Sequence, residues 1–390
     1  MQPSQNGHNG SVTDSGLTLG LIGRSLKPDE RRVPVHPAHL DRIPEHLRRR
    51  ILVEEGYGLP FGMSDAKIAE LVGRVGTREE VFAAADVLVL PKPQHEDIRA
   101  MREGQILWGW PHCVQDRELT QLAIDKRLTL IAFEAMNHWG PDGSFTLHVF
   151  HANNELAGYS SVLHALQLRG TTGNYGRRLT ATVIGFGATA RGAITALSAH
   201  GISRVRVLTN RAVAAVASPI HSVEIVQFGH EEGPYLSEVV TEDGAVPLAP
   251  FLAESDVVVN CTLQDPNAPL LYLRESDLPR FRPGSLIVDV SCDEGMGFSW
   301  ARPTTFEAPM IELDHDIHYY AVDHSPSYLW NSASWENSSA LLPFVETVMA
   351  GPAAWAAESV IDHAIEIQDG VIRNPAIVEF QDRESEYPHR

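Results

Sequence analysis

The chain has 390 residues, more than one ordinary domain and enough for two. Hydrophobic residues make up 43%, enough for packed cores, and the formal charge of −19 disfavours nucleic acid and anionic membrane surfaces, which need a basic face. Cys113, Cys261 and Cys292 are dispersed, with no C-x-x-C pair, which argues against a disulfide framework or structural zinc, and no apolar run approaches the ~20 residues of a membrane span.

Met1 to Ser15 is polar and rich in Gly, Asn and Ser. It lacks the charged start and apolar middle of a signal peptide, so it reads as a disordered tail. Short β-branched runs at Leu17–Ile22, Ile51–Glu54, Val87–Leu90, Gln105–Trp110 and Leu128–Phe133 then read as strands. Asp65–Val72 and Arg78–Ala85 between them have helical spacing. Asn154–Leu168 is a long helix candidate, followed by a Gly/Thr/Arg turn region. A second series of strands runs through Thr180–Ile184, Val205–Leu208, Val223–Phe228, Asp256–Asn260, Leu286–Val290 and His318–Val322. Helical spacing returns at Ala340–Ala350 and Pro352–Gln368.

This alternation predicts an α/β protein with two Rossmann-like, doubly wound parallel sheets and a cleft between them. The expected substrate domain is discontinuous, 16–153 plus 325–380, around a dinucleotide-binding domain at 154–324. Residues 381–390 read as a second disordered tail.

The sharpest motif is Gly185-Phe186-Gly187-Ala188-Thr189-Ala190, a G-x-G-x-x-A pattern. It follows an apolar strand and opens a helix, the context that gives it meaning. Gly185 permits a tight turn. Gly187 and Ala188 let a pyrophosphate approach the helix N-terminus. An NAD site places Asp or Glu about 20 residues after the glycines, for the ribose hydroxyls. Here the next strand ends in Thr209-Asn210-Arg211, with no acid. An arginine and two small polar side chains suit a 2′-phosphate, so NADPH (NADP) is expected over NADH.

Three basic residues follow strands of the first series: Arg32 in Glu30-Arg31-Arg32-Val33-Pro34, Lys92 in Leu90-Pro91-Lys92-Pro93, and His112 in Trp108-Gly109-Trp110-Pro111-His112. Ligands of open α/β sheets collect beyond the carboxyl ends of strands. A guanidinium and an ammonium there would hold a substrate carboxylate, and a histidine could pass protons. Surface solvation and helix capping account for such residues equally well. In the second series Asp293 follows a buried strand on the nucleotide side, while Asp289 lies within that strand. His324 ends the last strand.

At these residues the chain resembles the alanine dehydrogenase and pyridine-nucleotide transhydrogenase superfamily, from about Leu17 to Ala350. Within it the chain is most similar to the carboxyethylornithine synthase group. The shared segments are Glu30-Arg31-Arg32-Val33-Pro34, Ile51-Leu52-Val53-Glu54-Glu55-Gly56-Tyr57-Gly58, Arg102-Glu103-Gly104-Gln105, Gly109-Trp110 and Ala157-Gly158-Tyr159. Phe281-Arg282-Pro283-Gly284-Ser285 and Arg302-Pro303-Thr304-Thr305-Phe306 match the wider pattern.

The resemblance implies an oxidoreductase acting on CH–NH bonds. It would join pyruvate, or a close 2-oxo acid, to the amino group of an amino acid. Arg32 and Lys92 would bind the oxo acid, His112 would be the acid/base and Asp293 the carboxylate beside the nicotinamide. His324, with Trp330 and Trp335, would shape the amine-donor pocket. Two other readings remain: an alanine dehydrogenase using ammonia, and a non-catalytic NADPH-binding subunit. No metal, nucleic acid or membrane is expected, and the enzyme is expected to be a cytoplasmic homo-oligomer.

Overall fold

The computed structural model describes residues 16–210, 223–230, 237–241, 244–264 and 269–390; the expected N-terminal tail and Arg211 lie outside them. The chain divides into two compact units. The first combines the residues up to Leu26 with Val33–His148 and Ser338–Arg390, and the second combines Lys27–Arg32 with Val149–Asn337.

In the first unit, six strands are mutually parallel: β1 (Leu19–Leu21), β2 (Ile51–Glu54), β3 (Arg74–Gly76), β4 (Val87–Leu90), β5 (Ile106–Gly109) and β6 (Thr129–Ala132). A hairpin, β7 (Asn137–Trp139) and β8 (Phe145–His148), follows. Two strands from the far end of the chain, β20 (Ile365–Gln368) and β21 (Val371–Ile372), close the sheet antiparallel, in the order β21-β20-β6-β5-β4-β1-β2-β3. Every residue of β4, β5 and β6 is buried, as expected of β-branched and leucine-rich strands covered on both faces.

The second unit is a nine-stranded sheet among the described residues, in the order β13-β12-β11-β10-β9-β14-β16-β19-β18. Its parallel strands are β9 (Thr180–Ile184), β10 (Arg204–Thr209), β11 (Val223–His230), β14 (Val257–Asn260), β16 (Leu286–Asp289) and β19 (Ile317–Tyr320). The antiparallel strands are β12 (Ser237–Thr241), β13 (Gly244–Pro247) and β18 (Met310–Leu313). The helices His151–Leu168 and Ala188–Ala199 pack against one another and on one face, over Val183, Val205, Val207 and Val259.

That helix pair is closed by two glycines. A Cβ on Gly158 would lie 1.9 Å from the Thr189 carbonyl oxygen, and one on Gly192 would lie 1.7 Å from that of Glu155. Both obstacles are backbone, so neither can turn aside. Gly192→Val is therefore expected to destabilise the protein by at least the ~1–3 kcal/mol of ordinary overpacking. Chemical denaturation checks this, and a wild-type midpoint would remove the helix contact as the reason for the glycine.

Two expectations about the C-terminus change. The helical candidate Pro352–Gln368 is two short helices, Pro352–Trp355 and Ser359–Ala364, that run into β20. The expected disordered tail at 381–390 is packed. Gln381 Nε2 donates to the Cys113 carbonyl at 2.6 Å. Arg383, buried, donates from Nε to Gln381 Oε1 at 2.6 Å and from Nη1 to the His389 carbonyl at 3.0 Å. His389 Nε2 accepts from the Ile372 backbone at 3.1 Å. Polar composition reads as solvated chain, but here the polar groups find partners more than 260 residues away in sequence as well as close by.

Candidate active site

In the first unit, the carboxyl ends of β4, β5 and β6 present Lys92, His112 and Glu134 side by side. Lys92 Nζ lies 2.6 Å from His112 Nε2. That bond forms when the ammonium donates to an unprotonated ring nitrogen. The His112 backbone N–H donates to Glu134 Oε1 at 2.7 Å, and its Nδ1 lies 3.8 Å from the same oxygen. His112 adopts φ +51°, in the left-handed region. Such a backbone costs about 1–3 kcal/mol and persists where surrounding contacts enforce it. The bond to Glu134 is one such contact.

Behind them lies a pair of carboxyl groups. Glu134 Oε2 and Glu366 Oε2, the latter on β20, are buried without a hydrogen-bond partner. Burial, and then the charge of Glu366, raise the Glu134 carboxyl well above the usual carboxylate range. Burial raises Glu366 too. Two such neighbours cannot both ionise cheaply, so burial and mutual repulsion favour the protonated form of the pair. Sequence reasoning missed both. Glu134 stands just beyond a strand end, as Lys92 and His112 do, and that position is its one local signal. Glu366 gave no signal, because its strand read as helix.

In the second unit, Gly185 takes φ +99° at the end of β9, and Gly187 caps the Ala188–Ala199 helix. They border a cavity of about 510 Å³ with Ala188, Thr189, Thr209, Asn210 and Thr262. A Cβ on Gly187 would meet nothing within 4 Å, so the space before the first helical turn is open. This is where backbone N–H groups and the helix dipole hold a pyrophosphate, and the cavity fits a dinucleotide. Of the three residues expected at the ribose, Thr209 is buried and Asn210 exposed; Arg211 lies outside the described residues.

Asp293 follows β16 after a turn in which Cys292 has φ +49°. Asp289 pins that turn. Its Oδ1 accepts from Asn260 Nδ2 at 3.0 Å and from the Cys292 backbone at 3.1 Å, and its Oδ2 accepts from Tyr319 Oη at 2.9 Å. Burial raises the Asp293 carboxyl above its ordinary value.

Arg32 also belongs to the second unit. Its side chain is 2% exposed and grips Glu30 with two nitrogens, at 2.8 Å and 2.5 Å, while a third donates to Asn153 Oδ1 at 3.1 Å. Burial pushes the Glu30 carboxyl up, but the Arg32 charge and hydrogen bonds outweigh it and bring it down to about 2.

The expectation that His324 accepts a bond from a donor amine is corrected. Its Nδ1 lies 2.6 Å from Asp323 Oδ1 and its Nε2 lies 3.0 Å from the Pro28 carbonyl. Both ring nitrogens are taken, and the residue pins the Lys27–Arg32 segment instead. Trp330 is covered by the Arg31 guanidinium, 4.7 Å from the ring centre. Among the described residues no cluster of His, Cys, Asp and Glu could hold a metal.

Two family models match this chain: the alanine dehydrogenase/PNT N-terminal domain over residues 22–153 and the C-terminal domain over 174–375. The chain belongs to the alanine dehydrogenase/PNT family. It is 25% identical over 329 residues to an N(5)-(carboxyethyl)ornithine synthase of Clostridium botulinum, covering 79% of this chain and 87% of that protein. It is 27% identical over 339 residues to an alanine dehydrogenase of Mycobacterium tuberculosis, covering 83% and 85%. Among solved structures, an L-alanine dehydrogenase superimposes with a TM-score of 0.74 at 19% identity, over 94% of this chain and 99% of that one. A transhydrogenase from Sinorhizobium meliloti gives 0.68 at 20% identity, over 91% and 99%. As an alanine dehydrogenase/PNT protein the chain is an oxidoreductase. The family binds pyridine nucleotides, and the cavity at Gly185–Thr189 has the form for one.

Proposed function

We propose that the protein catalyses the NADPH-dependent reductive condensation of pyruvate, or a close 2-oxo acid, with the amino group of an amino acid, giving an N-(carboxyalkyl) amino acid. The observation that carries this is the 2.6 Å Lys92–His112 contact at adjacent strand ends, backed by Glu134. The Lys92 ammonium holds the oxo-acid carboxylate. An unprotonated amine attacks the carbonyl carbon. With Lys92 turned to the oxo acid, His112 Nε2 takes the proton from the attacking amine and passes it to the alkoxide, giving the carbinolamine; a second proton, drawn from solvent, lets the hydroxyl leave as water and leaves a cationic imine. Glu134 holds the His112 backbone and faces the Nδ1 side of its ring. Asp293 stabilises the positive charge on the imine nitrogen. The bound dinucleotide supplies the hydride that reduces the carbon–nitrogen double bond.

The similarity to carboxyethylornithine synthases supports an amino-acid donor, and the similarity to alanine dehydrogenases supports the rival, ammonia. NADPH consumption with pyruvate, across ammonia, ornithine, lysine and shorter diamino acids, separates them. Mass spectrometry should show the donor plus a carboxyethyl group. Alanine as the sole product, from ammonia alone, would replace this reading by the rival.

Absence of an acid at Thr209–Arg211 supports NADPH. Arg211→Ala is expected to raise the KM for NADPH far more than that for NADH. Equal use of both cofactors by the wild type would overturn the assignment.

A further inference from the structure

A second cavity in the first unit, about 560 Å³, opens at the carboxyl ends of β1, β2 and β3. The charged groups of its floor, Glu54 and Arg78, are hydrogen-bonded. Glu54, 1% exposed, accepts from the Gly23 and Arg24 backbones at 2.7 Å and 3.0 Å. Arg78 donates to the Arg24 carbonyl at 2.8 Å and to Asp97 Oδ1 at 2.5 Å. The rim differs. The Arg24 side chain is 79% exposed, with long contacts of 3.5 Å to Glu54 and its charge also felt by Glu79 on the same cavity. Glu55 is exposed on the same cavity, and Leu59, 63% exposed, stands beside Pro60 as an apolar wall. A guanidinium, a carboxylate and an apolar wall together match an α-amino acid with a carbon side chain: carboxylate, ammonium and methylene stem.

The cavity adjoins the Lys92 site. Ser25, next to Arg24, donates from its hydroxyl to the Lys92 carbonyl at 2.6 Å. β1 lies between β4 and β2, with Leu21 in register with both Val89 and Val53. Each strand step is about 4.8 Å, so Lys92 and Glu55 stand roughly 10 Å apart across the sheet. An extended diamino acid spans that breadth, whereas ammonia does not.

We infer that this cavity is the donor subsite, resting on the condensation proposed above. Arg24 binds the α-carboxylate of a diamino acid, Glu55 its α-ammonium, and Leu59 and Pro60 its stem. The side-chain amine then extends towards Lys92 and His112. This assigns the donor to the first unit, and it selects amino acids over simple amines.

The test is calorimetric titration of the full chain, saturated with NADP⁺, with ornithine, lysine and 1,4-diaminobutane, which lacks the carboxylate. Ornithine affinity is expected to fall about tenfold or more in Arg24→Ala, the scale of one charged hydrogen bond. Affinity for 1,4-diaminobutane should not change. The exposed position of Arg24 leaves the fold intact, and Glu55→Gln is a second, isosteric check with the same expected direction. Unaltered ornithine affinity in Arg24→Ala, or no amino-acid binding by the wild type, would overturn the subsite. Steady-state assays with pyruvate and NADPH keep the two proposals apart. Arg24-dependent binding without turnover of any amino acid leaves the subsite standing and removes the condensation. Turnover of ornithine that ignores Arg24 does the reverse.

Discussion

Replacing His112 by alanine should lower turnover by about a hundredfold or more, the loss that follows removal of a positioned proton carrier. Affinity for the dinucleotide should survive, because Gly185, Gly187 and Thr209 belong to the other unit. The fold should survive too. The imidazole is 47% exposed, and alanine removes no core packing. Two further readouts make the role specific. The variant frees Lys92 from its 2.6 Å partner, so the KM for the oxo acid should rise less than kcat falls. The ionisation that His112 contributes should also vanish from the pH profile of kcat/KM. Near-normal turnover in His112→Ala would return the residue to the role of a turn cap, held at φ +51° for structural reasons alone.

The second large effect is expected on stability. Arg32→Met strands the Glu30 carboxylate, which is enclosed and also bound by Ser327 Oγ at 2.6 Å. Breaking a buried ion pair from one side costs about 3–5 kcal/mol, whereas replacing both partners is far milder. The double variant Glu30→Gln/Arg32→Met should therefore recover much of the loss. The pH dependence follows from the same pair. Glu30 has a folded value of about 2, below its ordinary 4.5, so its contribution is complete above about 4.5 and fades as the pH falls towards 2. Denaturation of both variants at neutral pH, and of the wild type and double variant between pH 5 and 3, tests this. A single variant as stable as the wild type would show that the pair is not needed. A carboxylate-binding duty for Arg32 would show separately, as a raised KM for pyruvate in Arg32→Lys where that variant remains folded.

Much of this was legible because apolar runs are local. The strand expected at Val87–Leu90 has those bounds, and the one expected at Asp256–Asn260 runs Val257–Asn260; the glycine loop announced itself through the strand before it and the helix after it. Lys92 and His112 do lie just beyond the ends of β4 and β5, where the pattern put them. What escaped depends on pairings across the chain. Glu366 meets Glu134 only because β20 returns to the edge of the first sheet, and nothing near residue 366 records that. The bond from Arg32 to Asn153, 121 residues away, is likewise invisible locally. His324 read as available because the carbonyl that occupies it, from Pro28, lies 296 residues earlier.

The late return of β20 also bears on how the protein is made. A nascent chain leaves the ribosome in order, and domains fold as units when their parts are out. The nucleotide unit is complete once residue 337 has emerged, because its earliest part is Lys27–Arg32. The first unit, begun earlier, must wait for residues 365–372 to finish its sheet and set Glu366 behind Glu134. Translation thus yields a formed glycine-loop cavity before a finished Lys92–His112–Glu134 cluster, and a ribosome stalled between these points would display the former without the latter.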